Sequence, residues 1–248
     1  MAGAALRYLP IALVIGCWGT ATSLNLVSPR LVPDPVAVAA ALWQLVRSGE
    51  LLSNAAASLG RASVGLAAAI MVGVTLGLLM ATVRTFRLLA NPLVQIFYPL
   101  PKSALIPVVM VWFGLGSISK MVLIFLGCLL PVVVSSYNGA RGVDKVLLWS
   151  AASLGASRRE RLFEIVLPGA MPEILGGIRT ALAFAFILMV SSEFIIAQDG
   201  VGFLISTLGD GGAYAPMFAV ILTVAAIGFA ADRIFGLFVR HALRWREQ

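Results

Sequence analysis

The sequence predicts an all-α, polytopic membrane protein with about six transmembrane helices, and three observations carry that expectation. Hydrophobic residues fill 60% of the 248 positions and charged residues only 12%, with a mean hydropathy of +0.99; a soluble domain carries roughly 25% charged residues. Apolar runs of about 20 residues, long enough to cross a bilayer as a helix, recur between isolated charges. The basic residues gather where those runs end. The net charge of +7 and pI near 10.1 are therefore read as membrane topology and not as nucleic-acid binding, because Lys and Arg concentrate in short cytoplasmic loops.

The elements follow in order. The first span is expected at residues 9–26, with Arg7 holding its start in the cytoplasm. A retained helix is expected there and not a cleaved signal, since the run is long enough to span and no clean cleavage site follows. Val27–Glu50 is a polar interval outside the membrane, with Pro29, Pro33 and Pro35 near its start and a short amphipathic surface helix expected over Val36–Val46. The second span, 61–83, lies between Arg61 and Arg84 and carries Gly73 and Gly77 at a GxxxG spacing. That spacing lets another helix approach closely, and packing within the chain is the expectation. The third span, 92–113, is broken by Pro99, Pro101 and Pro107, because irregular backbone at membrane depth survives only where protein or a cavity covers it.

Gly114–Lys120 is an outer turn, 121–137 is the fourth span, and 140–172 is the long polar interval. The fifth span, 176–197, carries Arg179 near its inner end and Glu193 near its outer end. Gln198–Tyr214 is an outer loop, 216–239 is the sixth span, and the chain finishes in the cytoplasm. In this arrangement Arg7, Arg84, Arg87, Arg141, Lys145, Arg158, Arg159, Arg161, Arg240, Arg244 and Arg246 are inside, and Arg30, Arg47, Arg61 and Lys120 are outside. The asymmetry places both termini inside. Cys17 and Cys128 fall in apolar runs and read as buried free thiols. With one histidine, His241, no metal-ligand set is visible.

The interval Ala140–Pro172 needs an explanation beyond connecting two spans. Two short helical pieces, Val146–Ser153 and Arg158–Val166, flank the small-residue turn Leu154–Ser157, and Pro168 and Pro172 are expected to stop the second piece. Leu147, Leu148, Ala151 and Leu154 recur near helical spacing, as do Leu162, Phe163 and Val166. Such an object either docks in a groove on a cytoplasmic partner or rests on the protein's own inner surface.

Resemblance decides between these. The run Ser150-Ala151-Ala152-Ser153-Leu154-Gly155-Ala156-Ser157, followed by Ile165-Val166-Leu167-Pro168, resembles the EAA loop of ABC-importer inner-membrane permeases. Asn91-Pro92-Leu93, Tyr98-Pro99-Leu100-Pro101-Lys102, Ile106-Pro107 and Trp112-Phe113-Gly114-Leu115-Gly116 look like the branch importing nitrate, sulfonates, taurine and bicarbonate. The resemblance covers Leu51 to Arg246. The family's acidic residue at the loop head is Ser150 here, which removes a carboxylate but leaves a residue able to cap a helix.

What the resemblance implies is a type I ABC-importer permease fold, a single transmembrane domain over 1–248 in the bacterial inner membrane, and ATPase coupling through Ser150, Ala151, Ala152, Leu154, Gly155, Ala156, Ser157, Leu162, Leu167 and Pro168. The implied partners are a cytoplasmic ABC ATPase dimer, a second permease copy and an extracytoplasmic substrate-binding protein. The chain itself binds no cofactor in this reading; it has no G-x-x-x-x-G-K-[ST] loop, so ATP and Mg belong to the partner ATPase. Polar residues at span depth are the candidates for the translocation path: Lys102, Ser135, Ser136, Asn138, Ser191, Ser192 and Glu193. Lys102 either lines the path, snorkels to the interface or pairs with an acid such as Glu193. The alternative is an ATP-independent secondary transporter or channel, which would not require such a loop and is weakened by the lack of an obvious internal repeat. No nucleophile with an adjacent base is present to suggest an enzyme.

Overall fold

The computed structural model describes residues 2–28, 31–195 and 197–246; Arg30, assigned above to an outer segment, lies outside them. All regular structure among these residues is helical: α1 (Ala2–Ser23), α2 (Pro35–Arg47), α3 (Glu50–Thr82), α4 (Arg84–Phe97), a 3-10 turn (Lys102–Leu105), α5 (Ile106–Phe113), α6 (Ser117–Gly142), α7 (Lys145–Ser153), α8 (Arg158–Glu160), a π-helical stretch (Arg161–Val166), α9 (Leu167–Ile195), α10 (Val201–Asp210) and α11 (Tyr214–Ala242). Four helices are long and apolar enough to cross a membrane: α3, α6, the continuous helix Arg158–Ile195, and α11. The expected broken span is seen as α4 and Lys102–Phe113, bent by 95° across a short break, and counts as a fifth. The expected first span falls on α1, which ends at Ser23 and is not among these helices, so the described residues give four spans, or five with the bent pair, where about six were expected.

Three expectations are corrected. The second span does not begin at Arg61, because α3 starts at Glu50 and runs 33 residues. Arg61 is buried, its Nε donating to Ser117 Oγ at 3.0 Å, and it lies within α3, so it marks no helix end. Pro168 and Pro172 do not stop the second piece of the central interval. Leu167 N–H donates to the Leu162 carbonyl, a five-residue step that closes the π stretch. The helix runs on into α9, so Pro168 sits directly after the π stretch, whose shifted register accommodates its missing N–H, and Pro172 lies inside α9. Finally, Cys128 is buried, its Sγ 3.2 Å from the Ala181 carbonyl, but Cys17 is exposed.

The described chain forms two compact units, Met1–Ser58 with Glu193–Ile227, and Leu59–Ser192 with Gly228–Gln248. In the first, α2 starts on an Asp34 cap, Asp34 Oδ1 accepting from Val36 N at 2.6 Å, and buries Val38, Ala41 and Leu45. Trp18 donates its indole N–H to the Pro33 carbonyl (3.1 Å) and packs on Phe218. In the second, glycines bring helix backbones together. A Cβ added at Gly73 would lie 2.8 Å from Val132, and one at Gly77 would lie 2.5 Å from Ser136 Cβ and 2.7 Å from the Val133 carbonyl. The Gly73/Gly77 pair therefore packs α3 on α6 inside the chain. Gly139 and Gly177 serve the α6–α9 contact in the same way, facing Ala170 and Ser135.

Candidate functional site

The central interval is built from four local devices. Asp144 caps α7, its Oδ1 accepting from Val146 N at 2.8 Å; Ser150 lies inside that helix, which begins five residues earlier, at Lys145. The C-terminal end closes with Ala156 N–H donating to the Ala151 carbonyl (2.9 Å) and Gly155 at φ +89°, a left-handed conformation that glycine adopts without a Cβ penalty. Ser157 then opens α8 with a reciprocal capping box: Glu160 N donates to Ser157 Oγ (3.2 Å) and Ser157 N to Glu160 Oε2 (2.6 Å). Those bonds from Ser157, the backbone one foremost, hold the Glu160 carboxyl below the usual glutamate range. The fourth device is the π stretch, against which α7 packs and which runs on into α9.

The resulting surface is apolar and uncovered. No residue of α7 is buried, and Leu147, Trp149 (66% exposed) and Leu154 (88% exposed) project outward. Among the motif residues, Ser150, Ala152, Leu154, Gly155 and Ser157 are exposed, Ala151, Ala156, Leu162, Leu167 and Pro168 are half-buried, and Val166 and Ala170 anchor the base. The segment is joined to α6 by the two residues Val143 and Asp144 and to α9 with no break at all.

A second polar arrangement lies around Glu193. Three successive amides at the start of α10 each receive a side-chain acceptor: Gly200 N donates to Asn54 Oδ1 (2.7 Å), Val201 N to Ser58 Oγ (2.8 Å) and Gly202 N to Glu193 Oε2 (3.2 Å). Ser58 Oγ in turn donates to Glu193 Oε2 at 2.6 Å. Ser58 and Glu193 are 0% and 1% exposed. The carboxylate thus caps the positive end of a helix dipole, and Gly200, at φ +111°, leaves no room for a Cβ beside it. Sequence reading missed this: the outer loop Gln198–Tyr214 contains a ten-residue helix, and Asn54 and Ser58, one turn apart on an apolar helix, were the available signal.

The remaining path candidates are dispersed. Ser136 is fully buried against Gly77 and its Oγ has no hydrogen-bond partner; Ser135 lies against Gly177; Ser192 donates to the Met189 carbonyl at 3.0 Å. Ser191 is half-buried and Asn138 exposed. Lys102 donates its ammonium to the carbonyls of Tyr98 and, at 2.9 Å, Leu100, 5.5 Å from the Tyr98 ring. Among the described residues no cluster of His, Cys, Asp and Glu is suited to a metal ion.

The arrangement is matched in known proteins. Residues 73–244 match the model of the family described as binding-protein-dependent transport system inner membrane component. The chain is 33% identical over 243 residues to the taurine transport system permease protein TauC of Escherichia coli (strain K12), covering 96% of this chain and 88% of that one. It is 32% identical over 236 residues to the putative aliphatic sulfonates transport permease protein SsuC of Bacillus subtilis (strain 168), covering 95% and 86%. Its fold is similar to a chain of the MetNI methionine ABC transporter in an inward-facing conformation, with a TM-score of 0.64 and 19% identity over 81% of this chain and 96% of that one. With the family model covering more than half the sequence and the relatives nearly all of it, the chain belongs to the binding-protein-dependent transport system inner membrane components, the ABC-importer permeases that its central interval resembles.

Proposed function

We propose that this chain acts as one permease domain of an ATP-driven importer for a small anion of the taurine or sulfonate type, delivered by an external binding protein. In this reading both termini are cytoplasmic, a second copy completes the path, and Ala140–Pro172 docks into a groove on each subunit of an ATPase dimer. The observation that carries the reading is the uncovered apolar surface of α7 and its turn, Leu147, Trp149 and Leu154, on a segment capped at the starts of α7 and α8 and closed at the Gly155 turn. Such a surface facing cytoplasm is stable in company and unfavourable alone.

The mechanical consequence follows from connectivity. ATP and its magnesium ion act on the partner; what reaches this chain is a displacement. Because α8 and the π stretch continue into α9, and α7 follows α6 after two residues, a rigid-body push on the turn moves two spanning helices without a flexible linker to absorb it. The names of the relatives, which concern taurine and aliphatic sulfonates, support the solute class.

The test is reconstitution with a cognate ABC ATPase and an external binding protein. ATP-dependent taurine or alkanesulfonate uptake that is lost in Gly155→Asp, with membrane insertion retained, is expected. Uptake that proceeds without an ATPase would replace the reading with a secondary transporter.

A further inference from the structure

We infer that Arg179, Arg233 and Arg240, which line a cleft between α9 and α11, form a binding site for a tetrahedral oxyanion, with Asp232 as the group that positions Arg179; the inference does not depend on the importer reading above. The cleft has a volume of about 380 Å³, and these three guanidiniums and one carboxylate are four of its nine lining residues. By contrast, the cavity beside α4 has a single charged lining residue, Lys102, and the one beside α2 has none. The whole cleft lies within one compact unit, on residues 172–179 of α9 and 232–240 of α11.

The arginines are held in place without being used up. Asp232 takes Arg179 side-on, Nε donating to Oδ1 at 2.6 Å and Nη2 to Oδ2 at 2.7 Å. A guanidinium carries its N–H donors in a planar fork, so this pairing leaves Nη1 and the second Nη2 hydrogen, the end-on edge, for another acceptor. Arg233 lies with its guanidinium carbon 4.9 Å from the centre of the Phe229 ring, a stack that fixes the plane and leaves the edge donors free. Arg240 makes no hydrogen bond or ion pair among the described residues. Three guanidiniums against one carboxylate leave two positive charges in excess.

Glycines keep the cleft open. Gly176 and Gly236 both line it, and a Cβ at either would meet nothing within 4 Å, unlike Gly139 and Gly177, where a Cβ would strike the neighbouring helix. Arg233, Gly236 and Arg240 recur every three or four residues and share a face of α11. Positive-inside topology accounts for basic residues at helix ends; it does not account for a carboxylate that pins one of them, nor for open space among three. The excess charge disfavours a cation, and three forks from two helices suit the several oxygens of a phosphate or sulfonate. Two sources carry that chemistry: the headgroup of an anionic phospholipid, which basic pockets between spanning helices hold, or a free phosphate or sulfonate.

The experiment uses the purified full chain, stripped of lipid. Native mass spectrometry reads binding of phosphatidylglycerol against phosphatidylcholine with the same acyl chains, and calorimetry reads inorganic phosphate and methanesulfonate against chloride. Two variants are compared with the parent: Arg233→Gln with Arg240→Gln, which keeps the Arg179–Asp232 pair, and Gly236→Leu, which keeps every charge and fills the cleft. The parent is expected to prefer the anionic lipid or the free oxyanion over its control, and both variants to weaken that binding at least about tenfold with helix content unchanged. Phosphatidylglycerol binding that inorganic phosphate does not displace assigns the site to lipid; binding of the free anions assigns it to a soluble oxyanion. No preference over phosphatidylcholine and chloride, or a loss in the variants that falls short of the expected one, would overturn the inference. If one variant fails to fold, the other carries the same test. Neither readout involves uptake, so failure here is separate from a failure to transport taurine.

Discussion

Glu193→Ala removes the acceptor on which the start of α10 is built. Two donors then lose their partner in a place water does not reach: Ser58 Oγ, 2.6 Å away, and Gly202 N, 3.2 Å away. An orphaned buried donor costs about 1–3 kcal/mol, so the substitution should weaken the docking of α10 by about 2–6 kcal/mol. At about 1.4 kcal/mol per factor of ten, hydrogen exchange of the amides from Gly200 to Leu204 should accelerate by at least about thirtyfold, up to the limit set by global unfolding. Glu193→Gln keeps the volume and one acceptor oxygen and should fall between. Ser58→Ala orphans Val201 N and should cost about 1–3 kcal/mol by the same measure. Exchange in Glu193→Ala within about threefold of the parent protein, a change worth less than 1 kcal/mol, would refute the view that this carboxylate holds α10.

Gly155→Trp should leave insertion and α6–α9 packing intact, because a Cβ there meets nothing within 4 Å, yet it should abolish ATP-coupled uptake by straining the φ +89° turn and blocking the docking face; vesicle uptake beside ATPase co-purification separates the two. Gly77→Ala should destabilise by about 1–3 kcal/mol through overpacking on Ser136, whereas Gly60→Ala, in the same helix with open space around it, should stabilise by up to about 1 kcal/mol; thermal unfolding in detergent reads both signs. Glu160 has a lowered carboxyl pKa, so its capping contribution is complete above the ordinary glutamate value of about 4.3 and is lost as pH falls through the lowered folded value. Carbon-13 titration of the labelled carboxyl should show a midpoint below that value, and a midpoint at or above it would sink the capping box.

Spanning helices were legible because a long apolar run has few folded alternatives in a bilayer, and the prolines around Lys102 announced the break that bends the chain by 95°. Boundaries were not legible where charge was taken as an end. Arg61 is buried against Ser117, and nothing local to Arg61 distinguishes a cation that packs from one that meets water. Pro168 misled for a related reason: its effect depends on whether the preceding turn can shift register, and the π stretch supplies that shift. The Asn54–Ser58–Gly200 constellation joins residues more than 140 positions apart, beyond any periodicity argument.

The caps of the central interval also bear on what an acidic residue at position 150 would do here. A carboxylate at the loop head would act either as a cap or as a contact to the partner. Capping of α7 is supplied by Asp144, capping of α8 by Ser157, and the turn between them is closed by Gly155 and Ala156. The internal architecture therefore leaves position 150 no structural duty, and Ser150 is exposed on α7 beside Trp149. In the proposed reading, what the missing carboxylate changes is confined to the surface that would dock, where Trp149 and Leu154 offer exposed apolar area in place of a charge. Ser150→Glu should accordingly leave the stability of the isolated chain within about 0.5 kcal/mol, as for an exposed substitution, while altering the salt dependence of ATPase binding. A large loss of stability would show that position 150 is structural after all, and unchanged salt dependence would place it outside the docked surface.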